Sequence, residues 1–403
     1  MSWSTAMLSQ MTKVVTKGTT PTTLGEPFTD SGVNFIKAEA LNGDSNLEPH
    51  GIACISESTH EKLKRSILEV GDVLVTIAGA QVGKCGFVRE EHLPCNTNQA
   101  VGIVRADHLK TEPRFLYYFF KQPQTFARCQ SIGASQAAQP NVNLTILRGF
   151  TVPCPTLERQ RHIASILTAY DDLIENNRRR MALLEEAARK LYREWFVRLR
   201  FPGHKHTPIR NCLPEGWERK RLGDLCEAIR DISSPDKVDA DTPYIGLEHI
   251  PRRSISQTDW GHAVDVSSSK HKFSAGDILF GKIRPYFHKV SLAFVDGVAS
   301  SDAIVIRPKE ANFHSLVLMA VSSDAFVAMT AQTMKEGAKM PRADWKQMQA
   351  HEVLRPSGQV LEAFNRLIVP ITEQLRNLTF QTRKLRTARD RLLPKLMNGE
   401  ITL

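Results

Sequence analysis

The sequence predicts a mixed α/β (α+β) protein with long helices: two globular domains in one chain, separated by an antiparallel two-helix coiled coil and related as an intrachain pseudo-two-fold repeat. Three observations carry this. The 403 residues are too many for one ordinary core and suit two or three. Two segments, near 157–199 and 359–397, share one heptad register: Phe364 stands 201 residues after Ile163, and every later member keeps that offset. Between the helices, short motifs recur in the same order at offsets drifting between 201 and 209, as loop insertions would make them.

Composition narrows the class. With 41% hydrophobic and 24% charged residues, the chain is that of a globular protein, neither disordered nor fibrous. No run of eighteen apolar residues occurs, so no membrane span is expected. The N-terminus, MSWSTAMLSQMTK, lacks the basic start and apolar core of a signal peptide. Seven scattered cysteines without a C-x-x-C pair argue against a disulfide framework or a metal site and for the cytoplasm. A formal net charge of +10 points to a polyanionic partner, nucleic acid before membrane.

Taken in order, the first domain covers 1–156. Its Val33-Asn34-Phe35-Ile36 recurs as Thr242-Pro243-Tyr244-Ile245, and Gly71-Asp72-Val73-Leu74-Val75 recurs as Gly276-Asp277-Ile278-Leu279-Phe280, a turn entering an apolar strand. Ala100-Val101-Gly102-Ile103-Val104-Arg105 recurs as Ala303-Ile304-Val305-Ile306-Arg307, and Gly133-Ala134-Ser135 as Gly337-Ala338-Lys339. The first helix takes 157–200, a linker 201–212, the second domain 213–356, and the second helix with its tail 357–403.

The helical seams read Ile163, Leu167, Tyr170, Ile174, Met181, Leu184, Ala188, Leu191, Trp195 and Phe364, Ile368, Ile371, Leu375, Leu378, Leu385, Leu392, Leu396. Steps of four and three make a narrow apolar stripe suited to another helix. Each helix would extend roughly 60 Å at 1.5 Å per residue. Asn177, Thr382 and Arg389 are the polar entries, and Asn177 is placed to fix register. Pro370 should kink or start the second helix, and Pro394 marks its last turn.

A repeated pair of domains on a helical spacer suits duplex DNA, whose half-sites recur at about 34 Å per turn. Diverged halves would read different short sequences, giving an asymmetric bipartite target with an unread gap. Candidate contact residues lie on polar loops after the apolar strands. In the first domain these are Gln81 and Lys84 on a Gly-bracketed loop, and Ser135, Gln136, Asn141 and Asn143 on an amide-rich one; carboxamides pair bidentately with adenine. In the second they are Lys282, Arg284 and Tyr286, then Lys339 and Arg342; the arginines suit either guanine or phosphate. Lys17 and Thr19, and Arg230, stand on further backbone-contact loops near each domain's start.

Catalytic signatures are missing. Gly79-x3-Gly83-Lys84-Cys85 is one residue short of a P-loop and lacks its final Ser/Thr. There is no methyltransfer motif, no cofactor turn, no H-E-x-x-H pair, and no Gly-x-Ser-x-Gly elbow. The chain reads as a binder with no catalytic residue, metal or cofactor of its own.

Several segments resemble the specificity subunit of type I restriction-modification systems: Leu213-Pro214-Glu215-Gly216-Trp217 leading to Leu222-Gly223-Asp224; Leu157-Glu158-Arg159-Gln160-Arg161-His162-Ile163-Ala164; Arg193-Glu194-Trp195-Phe196 followed by Phe201-Pro202-Gly203; and Arg389-Asp390-Arg391-Leu392-Leu393-Pro394-Lys395-Leu396-Met397-Asn398-Gly399-Glu400-Ile401. The resemblance covers nearly the whole chain. It implies two target-recognition domains reading a split DNA site, with helices that receive two methyltransferase subunits. Those partners would hold S-adenosylmethionine and methylate adenine, and a restriction/translocase subunit can join them. Arg178 and Arg179, with Trp195 and Phe196 at the exit of the first helix, are the candidate partner-binding residues. Two departures stand out: the first domain lacks the Leu-Pro-x-Gly-Trp opening, and the second helix has Gln359-Val360-Leu361 where the first has Glu158-Arg159-Gln160. Two rival readings are a free-standing DNA-binding regulator and a protein scaffold without enzyme partners.

Overall fold

A computed structural model describes residues 3–42, 47–134, 140–265, 268–332 and 341–401. The chain divides into two compact units, Met1–Glu175 with Lys384–Leu403, and Asn176–Arg383. Each contains one mixed α/β domain and part of both long helices.

In the first unit the strand Val73–Thr76 is buried at every residue, the expected state for a continuous, largely apolar run covered on both faces. It lies inside an antiparallel four-stranded sheet ordered Thr12–Lys17, Val101–Ala106, Val73–Thr76, Cys85–Phe87. The helix Pro113–Lys121 buries Phe115, Leu116, Tyr117, Tyr118 and Phe120 in the core it shares with that sheet. A second sheet places Val33–Ile36 between Ile52–Ile55, antiparallel, and Cys95–Thr97, parallel. The strand Thr5–Met7 pairs with Thr151–Pro153.

The second unit repeats this frame. Its four-stranded sheet runs Cys226–Ile229, Ala303–Pro308, Ile278–Gly281, Val290–Leu292. Pro243–Ile245 pairs in parallel with Gly297–Ala299, and Glu218–Arg221 pairs with Glu352–Arg355. The recurring Gly-Asp turn explains itself in both. Asp72 takes a two-point contact from Arg105, Nε and Nη2 each at 2.8 Å, and accepts the Glu69 amide at 2.8 Å. Asp277 does the same with Arg307 at 2.7 and 2.6 Å and with the Ser274 amide at 2.8 Å. These buried carboxylates tie a strand's entry to its neighbour; fully hydrogen-bonded, they avoid the cost of an orphaned buried charge.

The long helices are Leu157–Tyr192, continued by a π-helical turn Arg193–Val197, and Gly358–Met397. Within the second unit they pair antiparallel: Asn177 Nδ2 donates to Thr382 Oγ1 at 3.4 Å, Thr379 meets Met181, and the Trp195 ring lies tilted against Phe364, centroids 5.6 Å apart. The polar seam entry Asn177 thus faces a threonine. Within the first unit, Ile163 and Leu167 share a core with Leu393, Leu396 and Met397, and Arg389 Nη1 reaches buried Asp171 at 2.6 Å. Burial opposes the Arg389 charge, but Asp171 and Asp390 outweigh it and raise its pKa. Pro370 neither starts nor ends the second helix, which runs from Gly358; it sits exposed, where water can serve the carbonyl it leaves unpaired.

One expectation changes here. Trp195 and Phe196 are 6% and 5% exposed, packed with Phe364 and Trp217, so their aromatic surface goes into the core of their own unit and not outward to a partner. They occupy the seam places that Leu396 and Met397 hold in the first unit. Gln160, in the segment that opens the first long helix, is also internal. Its carboxamide donates to the Lys110 and Pro155 carbonyls and accepts the Glu112 amide, clamping the helix start to its own domain.

Candidate nucleic-acid interface

The same loop pair recurs in each unit. In the first, residues 77–84 join the strands Val73–Thr76 and Cys85–Phe87, and the chain at 140–143 lies beside this turn. Ala78 bridges Asn141, flanked by Val142 N donating to the Ile77 carbonyl at 2.8 Å and Gly79 N to the Pro140 carbonyl at 3.0 Å. In the second, Ile283 bridges Arg342, flanked by Ala343 N to the Lys282 carbonyl at 2.8 Å and Arg284 N to the Pro341 carbonyl at 2.9 Å. Position 79 therefore corresponds to 284, and 141 to 342. The turn is closed alike by Thr76 N to the Lys84 carbonyl, 2.7 Å, and Gly281 N to the Lys289 carbonyl, 2.8 Å.

This turn needs two left-handed residues. The first unit supplies Gly79 (φ 94°) and Gly83 (φ 90°); the second supplies Arg284 (φ 49°) and His288 (φ 52°). The near P-loop spacing of the glycines is thus a backbone requirement, met without Cβ strain in one unit and with side chains in the other.

Gln81 is exposed at the turn and Lys84 half-buried. Asn141 is exposed, whereas Asn143 caps the helix Leu144–Arg148, its Oδ1 accepting the Ile146 amide at 2.9 Å. Lys17 ends its strand exposed; Thr19 N donates to the Thr97 carbonyl and Arg65 Nη2 reaches Thr19 Oγ1 at 3.2 Å. Because Ile77 N donates to the Ala100 carbonyl, the Lys17–Thr19 loop and the turn flank one segment, 97–101. Gly18 permits this approach: a Cβ there would stand 2.1 Å from the Thr97 carbonyl oxygen.

In the second unit Arg284, Arg342 and Tyr286 are exposed, and Tyr286 is edge-on to Phe287 at 5.0 Å. Lys282 Nζ donates to the Ser301 carbonyl at 3.1 Å. Arg230 is exposed beyond its strand, and its charge meets that of Lys282 at His271, whose pKa is lowered by burial first and by those two cations next. Arg230, Lys282, Arg284 and Arg342 thus belong to one positive region. Asp302 Oδ1, 3.3 Å from Arg342 Nη2, is a participant that sequence gave no sign of. So are Arg252, whose guanidinium lies 4.2 Å over Phe287, and Lys289, whose pKa burial lowers. Ser135, Gln136 and Lys339 lie outside the described residues. Arg178, half-buried, and Arg179, exposed, stand on the first long helix.

The arrangement offers carboxamides and guanidinium groups on rigid turns, the chemistry of groove recognition. Among the described residues no cluster of His, Cys, Asp or Glu could hold a metal ion, and no single helix is long and apolar enough to cross a membrane. All seven cysteines are free.

Residues 2–186 match the type I restriction modification DNA specificity domain. The chain is 24% identical over 406 residues to the type I restriction enzyme MjaIX specificity subunit of Methanocaldococcus jannaschii, across 96% of this chain and 91% of that one. It is 21% identical to the HindI specificity subunit of Haemophilus influenzae, across 72% and 77%. Its fold is similar to that of a type I restriction-modification S subunit from M. genitalium, with a TM-score of 0.59 at 14% identity over 98% of this chain and 96% of that one. Residues 2–186 thus carry the match to a type I restriction modification DNA specificity domain, and nearly the whole chain is similar in sequence and fold to specificity subunits of type I restriction-modification systems.

Proposed function

We propose that this chain reads an asymmetric, bipartite DNA site and docks two methyltransferase subunits that methylate adenine within it, with S-adenosylmethionine held by those partners. Residues 1–156 and 213–356 are the two target-recognition domains, and the long helices, 157–200 and 357–403, are the spacer. The observation that carries this is the turn-and-bridge site built twice on one backbone plan with different side chains: Gly79, Gln81 and Asn141 against Arg284, Tyr286 and Arg342. A duplicated frame with diverged exposed side chains suits two different half-sites.

Lys17, Thr19, Lys84, Arg230, Lys282 and Arg284 hold the DNA backbone by charge or hydrogen bond, a contribution that weakens with salt. Arg178 and Arg179 present the cationic face to a methyltransferase; Trp195 and Phe196 support that helix from within. Ala substitution of both arginines should weaken co-purification with the methyltransferase while circular dichroism shows the fold retained.

The test is methylation mapping. The chain is expressed with its neighbouring methyltransferase subunit in a host lacking adenine methylation, and modified adenines are read by long-read sequencing. A single split motif is expected, altered on one side when 1–156 is exchanged and on the other when 213–356 is. A folded, methyltransferase-bound chain that yields no motif would refute the proposal.

A further inference from the structure

We infer that positions 141 and 342 are equivalent base-reading positions, Asn141 selecting adenine in one half-site and Arg342 selecting guanine in the other, with Asp302 as the positioning residue for Arg342. This rests on the DNA-reading function proposed above and names the residues that set its specificity.

The equivalence is geometric. Both residues form the same isolated bridge to the second residue of the turn, with matching flanking hydrogen bonds of 2.8 Å and of 2.9–3.0 Å. Two residues later each chain enters a short helix behind a capping side chain, Asn143 accepting Ile146 N at 2.9 Å and Asp344 accepting Lys346 N at 3.0 Å. The backbone at 141 and 342 is therefore held on both sides, which a base contact requires of the residue that makes it. Capping also commits the Asn143 oxygen, which leaves Asn141, among the described residues of this segment of the first unit, as the amide suited to a base edge.

The side chains at these equivalent places differ in the one respect that matters for readout. A carboxamide presents a donor beside an acceptor, the complement of adenine N6 and N7; a guanidinium presents two donors, the complement of guanine O6 and N7. Asp302 decides between phosphate and base for Arg342. Phosphate is recognised chiefly by charge, which a carboxylate 3.3 Å away partly cancels. A base edge is recognised by donor geometry, which that carboxylate fixes by holding one Nη while other N–H groups face outward. Arg342 remains 59% exposed while so held.

The experiment selects duplexes from a randomised library with the full chain in complex with its methyltransferase subunit, comparing wild type, N141A, R342N, R342K and D302N. R342N and R342K should each lower selectivity for guanine at one position of one half-site about 10- to 100-fold, leaving the other half-site intact. N141A should abolish an adenine preference in the opposite half-site. D302N should lower the same guanine selectivity and raise affinity for non-target duplex, as the loss of a negative charge from a positive surface requires. Circular dichroism checks folding, and R342K, which keeps the charge, stands in if R342N does not fold. Unchanged motifs in N141A and R342K, or an affinity loss equal for all sequences, would overturn the inference. A wild-type complex that selects no split motif would instead overturn the function on which it rests.

Discussion

The two units differ least where their chains are buried and most where a turn meets solvent. Asp72 and Asp277 sit in the same bend, grip the corresponding arginine on the neighbouring strand, and accept the corresponding amide three residues back. A few residues further along, Gly79 faces Arg284 and Asn141 faces Arg342 on matching backbones. The two units share the carboxylate locks, whose loss would strand a buried arginine charge, and differ at positions whose side chains leave the frame unchanged. A duplicated reader of the kind proposed above needs that division: its scaffold must survive every change in what it reads.

The contrast can be broken at the core. Trp195 of the second unit and Leu396 of the first fill corresponding seam places, both nearly inaccessible. Trp195→Ala should cost about 3–5 kcal/mol and Leu396→Ala about 2–5 kcal/mol, through lost burial and an uncollapsed cavity. Hydrogen exchange resolved by peptide would place each loss in its own unit. Equal protection in both units for Trp195→Ala would contradict the packing around Phe364 and Trp217. Any accompanying loss of partner association is then a consequence of unfolding, to be separated from contact by the Arg178 and Arg179 variants.

Much of this was legible beforehand, for a physical reason. Burial at a fixed period leaves a fixed apolar pattern, so the heptad seam, its register and the recurring strand entries could be read from spacing alone. Contacts made by polar side chains across the fold leave no such period. Asp302 beside Arg342, Asp171 beneath Arg389, and the internal clamp formed by Gln160 were invisible for that reason. Trp195 and Phe196 misled because a large aromatic at a helix exit fits a partner surface and a core equally well by composition; only three-dimensional placement separates the two. The Leu-Pro-x-Gly-Trp opening, absent from the first domain as a motif, has a structural counterpart in Trp3. It precedes the strand Thr5–Met7 as Trp217 precedes Glu218–Arg221, and its Nε1 donates to the Leu396 carbonyl at 3.3 Å.

The carboxylate locks sharpen the comparison at intermediate size. Removing Asp72 leaves Arg105, 20% exposed, with the exposed Glu69 as its ionic partner among the described residues; removing Asp277 leaves Arg307, 41% exposed, in easier reach of water. Asp72→Ala should therefore cost more, about 3 kcal/mol against about 2 kcal/mol for Asp277→Ala, since an exposed pair restores at most ~1 kcal/mol. Urea denaturation of the two variants measures the difference. Equal or reversed costs would mean that the locks differ in something beyond the burial of their arginines.

The smallest effect lies at the turn itself. Arg284 holds a left-handed conformation that glycine adopts freely at position 79, so Arg284→Gly should raise stability by about 0.5–1 kcal/mol. The reciprocal Gly79→Arg should lower it by about 1 kcal/mol and still fold, because a Cβ at Gly79 meets no heavy atom within 4 Å and the cost is torsional. The DNA readout should move against stability: Arg284→Gly weakens binding nearly uniformly across sequences and flattens the salt dependence by roughly one phosphate contact. Opposite signs in the two measurements would identify Arg284 as a residue kept for its side chain at the expense of its backbone. A stability loss in Arg284→Gly would mean instead that the guanidinium contributes to the fold, and that the divergence from Gly79 reflects local packing more than DNA.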